Sequence, residues 1–209
     1  MYILVINAHP APTFPGSAAN AMLNRVLEKL PAGSYELVNL YEADVPPLSG
    51  DMLSAFRNMS IGQPLTPSEE AVLVPMGALL EQFKRADRVI ISYPMHNFLF
   101  PAKLKDYLDN IIIPGETFEG GVDDLRPVLP AGRKVLLLQS SGAVYTQHDK
   151  FSDLEYGVAF LRAMFLDLFG FAKLLVVRAE GTNKSDVGFD AAVNKAYAGI
   201  DATLPEFLA

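Results

Sequence analysis

The chain has 209 residues, half of them hydrophobic, so it can bury one sizeable core and is expected to form a single domain over residues 1–209. It has no cysteine, which excludes disulfides and thiol chemistry, and His9, His96 and His148 lack the spacing of metal ligands, so no metal centre is expected. A formal net charge of −7 without a basic stripe argues against a nucleic-acid partner, and the lack of a long apolar run or a cleavable leader argues against a membrane partner and predicts a cytoplasmic location.

Short apolar runs bounded by turn residues predict five β-strands. In chain order they cover residues 2–7, 35–40, 88–93, 134–140 and 173–179. Three of the runs are almost continuously apolar, which is typical of strands that are buried on both faces.

Apolar residues at helical spacing predict a helix in each connection between strands and another after the last strand. The predicted helices cover residues 19–30, 66–86, 104–112, 152–170 and 186–200. The second contains Pro75 and Gly77, which disfavour a helix, and the fourth is expected to begin with a capping box at Ser152 and Glu155 and to end at Gly170. Strands alternating with helices predict a doubly wound five-stranded parallel sheet in the order 2-1-3-4-5, with helices on both faces.

In such a sheet, ligands bind beyond the carboxyl ends of the first and third strands, which here are followed by residues 8–17 and 94–98. The first of these loops has no charged residue and precedes a helix that Ser17 can cap, so its free amides can bind a phosphate, unless the loop is only a connector. Neither GxGxxG nor GK[ST] occurs there, so a monophosphate such as that of FMN fits better than a dinucleotide. A third loop, residues 140–145, has small residues that let a flat ligand approach, or that simply form a turn.

Four segments together resemble the FMN-dependent NADH:quinone oxidoreductases known as azoreductases, in order and spacing over nearly the whole chain. They are "PMHNFLFPAKLKDY" from Pro94, "GETF" at 115–118, "SSGAVY" at 140–145 and "AEG" at 179–181. The resemblance implies a flavodoxin-like fold, bound FMN, NADH or NADPH as electron donor, and a homodimer. It also implies two-electron reduction of a quinone or azo acceptor by a ping-pong mechanism.

The resemblance further implies that the first loop holds the FMN phosphate, that residues 94–98 run along the flavin ring and that residues 140–143 contact it. The cofactor-binding residues are therefore expected to be His9, Phe14, Gly16, Ser17, Ala18, Pro94, Met95, His96, Asn97, Phe98, Ser140, Ser141, Gly142 and Ala143. Three departures from the family pattern occur: His96 replaces the usual Tyr or Trp, Tyr145 replaces a His of some members, and "PGSAAN" lacks a second serine or a glutamine.

Asn97, His96 and Tyr145 are the candidate catalytic residues, and Phe118 is the candidate substrate contact. Asn97 has both a donor and an acceptor for the pyrimidine edge of a flavin, although it could instead only form a turn. His96 could donate a proton to the acceptor or be an unreactive loop residue. Phe118 lies in a long connection that favours a homodimer in which the partner chain covers each flavin.

Two other classes of function remain open. The same fold serves electron carriers and redox-sensing regulatory subunits without significant turnover, and the "HP" pair at His9 is shared with some regulatory members. Against a carrier, the acidic residues are spread along the chain and form no concentrated docking face. A hydrolase is disfavoured because no GxSxG motif occurs.

Overall fold

The computed structural model describes residues 1–121, 123–147 and 150–209. Its strands are β1 Ile3–Asn7, β2 Tyr35–Asn39, β3 Arg88–Pro94, β4 Phe118–Glu119, β5 Arg126–Pro127, β6 Lys134–Ser141 and β7 Lys173–Glu180. The five long strands form a parallel sheet in the order β2-β1-β3-β6-β7, which agrees with the predicted layout, and each begins and ends within one residue of its prediction. The short strands β4 and β5 form an antiparallel hairpin that was not predicted.

The helices are α1 Ala18–Leu27, α2 Gly50–Ser60, α3 Pro67–Arg85, α4 Ala102–Ile111, α5 Tyr156–Arg162 and α6 Phe189–Leu208. A 3₁₀ turn at Ser152–Leu154 precedes α5, and a π-helical segment at Ala163–Leu168 follows it. In the described part of the chain, no helix combines the length and apolar character needed to cross a membrane.

Two hydrophobic clusters cover the two faces of the sheet. In β1, Ile3 and Val5 pack with α1 and α6, whereas Leu4 and Ile6 pack with α3, α4 and the segment around α5. Because consecutive strand residues point to opposite faces, a strand covered on both sides is apolar at nearly every position of its middle part. This requirement explains why the central strands could be recognised from the sequence.

Helix α3 is continuous although Pro75 and Gly77 lie inside it. Thr66 caps it in a capping box with Glu69, and the buried side chains of Leu80 and Phe83 fix its inner face. The prediction of a helix over residues 66–86 is therefore confirmed, because packing and capping outweigh the local cost of proline.

Helix α2 was not predicted. Ser49 caps it by accepting a hydrogen bond from the amide of Met52, and only Met52 and Ala55 of this helix are buried. Leu53 and Met59 are more than half exposed, so the apolar residues do not follow a single stripe and the helical periodicity is obscured.

The predicted start of the fourth helix at Ser152 was wrong. The cap of α5 is Glu155, whose side chain accepts a hydrogen bond of 2.9 Å from the amide of Val158. The predicted end at Gly170 agrees with its φ of 70°, since this left-handed conformation ends a helix. The last helix was also placed wrongly: it begins after Gly188 and continues to Leu208, because apolar residues repeat at helical spacing to the end.

Glu69 of α3 is hydrogen-bonded to α2, and its contribution to stability can be tested. Its buried carboxylate accepts hydrogen bonds from the hydroxyl of Ser54, the amide of Asn58 and the backbone of Thr66, and these bonds lower its pKa. A lowered pKa in the folded state stabilises the fold above the ordinary Glu pKa, and this stability is lost as the pH falls through the folded value. We expect Glu69→Gln to lower the melting temperature at neutral pH, by a margin that shrinks in acid. The exposed neighbour Glu70 provides the control Glu70→Gln, and equal melting curves of the two variants would contradict this role.

Candidate functional site

The loops that follow β1, β3, β6 and β7 meet around a cavity of about 210 Å³ at the carboxyl edge of the sheet. Its lining residues are His9, Phe14, Gly16, Ser17, Ala18, Pro94, Met95, Ser140, Ser141, Gly142, Thr182, Asn183 and Phe189. The structure thus brings together all the predicted cofactor residues of the first loop. Beside them it places Pro94 and Met95 at the end of β3, and Ser140, Ser141 and Gly142 at the end of β6.

The first loop is fastened to α1 by Asn20, which sequence reasoning missed. The buried Asn20 side chain donates hydrogen bonds to the carbonyls of Ala11 at 2.9 Å and Phe14 at 3.1 Å. Its backbone amide donates to the hydroxyl of Ser17, which is the predicted helix cap. The sequence feature that could have predicted this role is an asparagine in the first turn of a helix, because its side chain readily forms hydrogen bonds with nearby backbone.

The start of α1 is suited to an anion. The amides of Ala18 and Ala19 lie in the first helical turn and have no acceptor within the helix. The Ser17 hydroxyl accepts a hydrogen bond from Asn20, so its own proton remains available to donate into the cavity. These donors and the positive end of the helix dipole together favour a negatively charged ligand.

His9 adds a neutral donor to the cavity. Its Nδ1 accepts a hydrogen bond of 2.9 Å from the amide of Ala11, so the ring proton lies on Nε2. Burial lowers the pKa of His9, which keeps the imidazole uncharged at neutral pH. No Asp, Glu, Lys or Arg is among the described residues that line the cavity, so a bound anion meets neutral donors without repulsion.

His96, Asn97, Phe98 and Leu99 form a tight turn next to the cavity. His96 and Leu99 exchange backbone hydrogen bonds of 2.7 and 3.1 Å, and Asn97 and Phe98 have φ values of 47° and 68°. Positive φ at both central positions matches a type I′ turn, in which a phenylalanine is uncommon. Unfavourable backbone conformations of this kind concentrate at functional sites.

Three of the four side chains of the turn lie at the surface, and none of the four lines the cavity. His96 and Asn97 are exposed, Phe98 is 43% exposed, and the Phe98 ring lies edge-on to Tyr145 with centroids 6.5 Å apart. The amide of Tyr156 donates to the Phe98 carbonyl at 3.2 Å, so the start of α5 supports the turn. The predicted residues His96, Asn97 and Phe98 therefore form an exposed surface that follows Met95 in the chain, with the half-buried Tyr145 beside it.

A buried polar network lies close to the start of α5, and the sequence analysis did not predict it. Arg178 donates to Gln139 at 2.9 Å, and Gln139 donates to the Glu155 carboxylate at 2.7 Å. Glu155 lies 3.9 Å from Arg178, and its side chain is only 10% exposed. The Tyr93 hydroxyl is buried nearby without a hydrogen-bond partner in the described residues, and burial raises its pKa. The network could have been predicted from two polar residues in otherwise apolar strands, Gln139 and Arg178, which are paired in the sheet.

The loops after β6 and β7 are joined through their backbones. The amides of Gly181, Thr182 and Asn183 donate to the carbonyls of Ala143, Ser141 and Gly142 at 3.0 to 3.2 Å. Ala143 does not line the cavity, but its carbonyl helps to hold this pair of loops. Thr182, Asn183 and Phe189 were not predicted, although the "AEG" segment already marked the end of this strand.

Phe118 lies in the β4–β5 hairpin, is half-buried and does not line the cavity. Larger cavities of about 610 and 570 Å³ lie along the edge strands β2 and β7, but predicted site residues do not line them. In the described ranges, no group of three or more His, Asp or Glu side chains could hold a metal ion, and His148 lies outside those ranges.

Comparison with known proteins identifies the family. The family described as having a flavodoxin-like fold matches residues 1–204. FMN-dependent NADH:quinone oxidoreductase 1 of Bacillus cereus is 40% identical over 184 residues, 86% of each chain, and that of Lactiplantibacillus plantarum is 30% identical over 209 residues, 98% of this chain and 97% of its own. The crystal structure of an FMN-dependent NADH-azoreductase from Bacillus anthracis in complex with FMN superimposes with a TM-score of 0.93, at 34% identity and full coverage of both chains. This chain therefore belongs to the family of FMN-dependent NADH:quinone oxidoreductases and has their flavodoxin-like fold.

Proposed function

We propose that this protein is a cytoplasmic FMN-dependent NAD(P)H:quinone oxidoreductase and azoreductase, formed by one flavin-binding domain over residues 1–209. The observation that carries the proposal is the uncharged cavity at the start of α1, where Ser17, His9 and free amides converge. Its support is the similarity, over the full length, to an azoreductase that was crystallised with FMN.

The cavity fits the phosphate end of FMN better than the whole cofactor. Sites for drug-sized ligands usually enclose about 300 to 1,000 Å³, whereas this cavity encloses about 210 Å³. A phosphate at Ser17 and Ala18 would leave the flavin ring outside the cavity, over Pro94–Phe98. When bound there, FMN would supply the two-electron chemistry that the side chains lack.

The residues of this chain would orient the ring and the substrates. Asn97 would offer a donor and an acceptor to the pyrimidine edge, from a turn that is closed by backbone hydrogen bonds between His96 and Leu99. The edge-on pair of Phe98 and Tyr145 offers an apolar surface to a planar quinone or azo compound. In this proposal, His96 and Tyr145 would donate protons to the acceptor. NADH and the acceptor would use this surface in turn, which corresponds to a ping-pong mechanism.

We also propose that the active unit is a homodimer. Phe98 and Tyr156 are 43% and 54% exposed beside the site, and Leu53 and Met59 of α2 are 57% and 59% exposed. A second chain that packed against these side chains would remove their apolar surface from water. A second chain would close the open side of the flavin site, and Phe118 would contact substrate in the partner's site.

The proposal is tested by turnover of protein that has been purified and saturated with FMN. We expect a yellow protein that prefers FMN to FAD and oxidises NADH in the presence of a quinone, with the parallel double-reciprocal plots of a ping-pong mechanism. FMN binding with negligible NADH:quinone turnover would favour the electron carrier or regulatory subunit. No saturable FMN binding would reject a flavin function altogether.

Asn97 allows a test that separates cofactor recognition from turn formation. Because Asn97 has a φ of 47°, alanine would strain the turn whereas glycine would not. We therefore expect Asn97→Gly to keep the melting temperature and to slow flavin reduction by NADH or weaken FMN binding by roughly tenfold, the cost of one hydrogen bond to a charge-bearing group. If Asn97→Gly retained full affinity and reduction rate while only Asn97→Ala was impaired, Asn97 would be a turn residue.

A further inference from the structure

One wall of the cavity consists of Thr182, Asn183 and Phe189, at the end of β7 and the start of α6. We propose that Asn183 is a further cofactor-binding residue, whose side-chain amide donates a hydrogen bond to the phosphate end of FMN. This inference rests on the proposed function, because it assumes that the cavity holds the FMN phosphate.

The backbone of Asn183 is held firmly against the loop after β6. Its amide donates to the Gly142 carbonyl at 3.1 Å, and the preceding amide of Thr182 donates to Ser141 at 3.2 Å. Gly181 has a φ of 78°, which directs the chain from the strand into this contact. The position of residue 183 beside the cavity is therefore fixed by the fold.

The side chain of Asn183 lies against Gly142. A methyl group added to Gly142 would come within 2.8 Å of Asn183 Nδ2, so any larger residue at 142 would push this amide away. Among the described residues, the Asn183 side chain has no hydrogen-bond partner, whereas the Thr182 hydroxyl already donates to the Ser141 carbonyl. Asn183 thus supplies an uncommitted side-chain amide at this wall of the cavity.

The charge of the site explains why a neutral donor is useful there. The nearby cation Lys184 forms an ion pair with Asp186 at 3.4 Å, and the described lining residues carry no charge. A phosphate must therefore be held by amides, hydroxyls and the His9 ring, to which Asn183 adds a donor. An aspartate at position 183 would place a negative charge in the same cavity as the phosphate and repel it.

The experiment compares FMN with riboflavin, which lacks the phosphate, by fluorescence titration of the apoprotein. We expect Asn183→Asp to weaken FMN binding by at least about tenfold and to leave riboflavin binding unchanged, with Asn183→Ala weakening FMN severalfold. Asn194→Asp is the matched control, because the exposed Asn194 on α6 adds the same charge away from the cavity. Melting temperatures check that each variant is folded.

Other results would overturn either the assignment of Asn183 or the proposed function. FMN affinity of Asn183→Asp equal to that of Asn194→Asp would overturn the proposal. Equal losses of FMN and riboflavin binding would also overturn it, because the residue would then act on the ring or on the Gly142 loop. If the wild-type protein bound neither flavin, the proposed function itself would fail, which this comparison distinguishes from failure of the Asn183 assignment.

Discussion

Replacing Ser17 by Asp should abolish tight FMN binding without weakening the fold. Asp caps a helix about as well as Ser, and a negative charge at the start of α1 interacts favourably with the helix dipole. The same charge would repel the FMN phosphate: two unit charges about 4 Å apart interact by about 4 kcal/mol near a protein surface. This energy corresponds to a loss of affinity of roughly a thousandfold.

The measurement is flavin titration of apoprotein variants together with their melting temperatures. Ser17→Asn is the control, because asparagine also caps a helix but carries no charge. We expect Ser17→Asp to keep its melting temperature and its riboflavin affinity while losing FMN affinity, and Ser17→Asn to bind FMN far better than Ser17→Asp. Unchanged FMN binding by Ser17→Asp would place the phosphate elsewhere.

Replacing Glu155 by Ala should have the largest effect on stability. The substitution removes the cap of α5 and the acceptor of the Gln139 amide, and leaves Arg178 without its carboxylate. Removing one partner from a buried charged network typically costs about 3 to 5 kcal/mol. Because the side chain of Arg178 is 25% exposed and can be hydrated, we expect a value near the lower end, about 3 kcal/mol.

Urea unfolding of the apoprotein measures this free energy directly. Asp153→Ala is the matched control, since Asp153 is an exposed acid two residues earlier. Glu155→Gln keeps an oxygen acceptor for Gln139 and Val158 and should recover part of the loss. Equal unfolding midpoints for Glu155→Ala and Asp153→Ala would show that the network does not stabilise the fold.

The sheet could be predicted well because its strands obey a single strong rule. Residues such as Leu136 and Leu137 are fully buried on opposite faces, so the middle of this strand is continuously apolar. The boundaries of helices are harder to predict, because several nearby residues can cap the same helix. At Ser152 and Glu155 the sequence offers two possible caps, and only the fold selects Glu155, whose carboxylate also accepts a hydrogen bond from Gln139 in β6.

The candidate site was predictable where topology determines it. The rule that ligands bind at the carboxyl edge of a parallel sheet located the loops that contain Ser17 and Met95, and small residues after the fourth predicted strand indicated the loop that contains Ser140. It could not locate Asn20 or Asn183, because their roles depend on hydrogen bonds and contacts between segments that are distant in sequence or folded back on themselves. The positive φ of Phe98 was equally hidden, because phenylalanine disfavours that conformation and only the surrounding contacts impose it.

The central claim is that the FMN site of this protein passes electron pairs from NADH to a quinone. Anaerobic titration of the FMN-saturated protein with NADH, followed by addition of a quinone, tests it most directly. The proposal predicts that one NADH per bound flavin bleaches the flavin absorbance, and that the quinone restores it at least as fast as steady-state turnover. A bound flavin whose absorbance NADH leaves unchanged, or a reduced protein that the quinone fails to reoxidise, would contradict it.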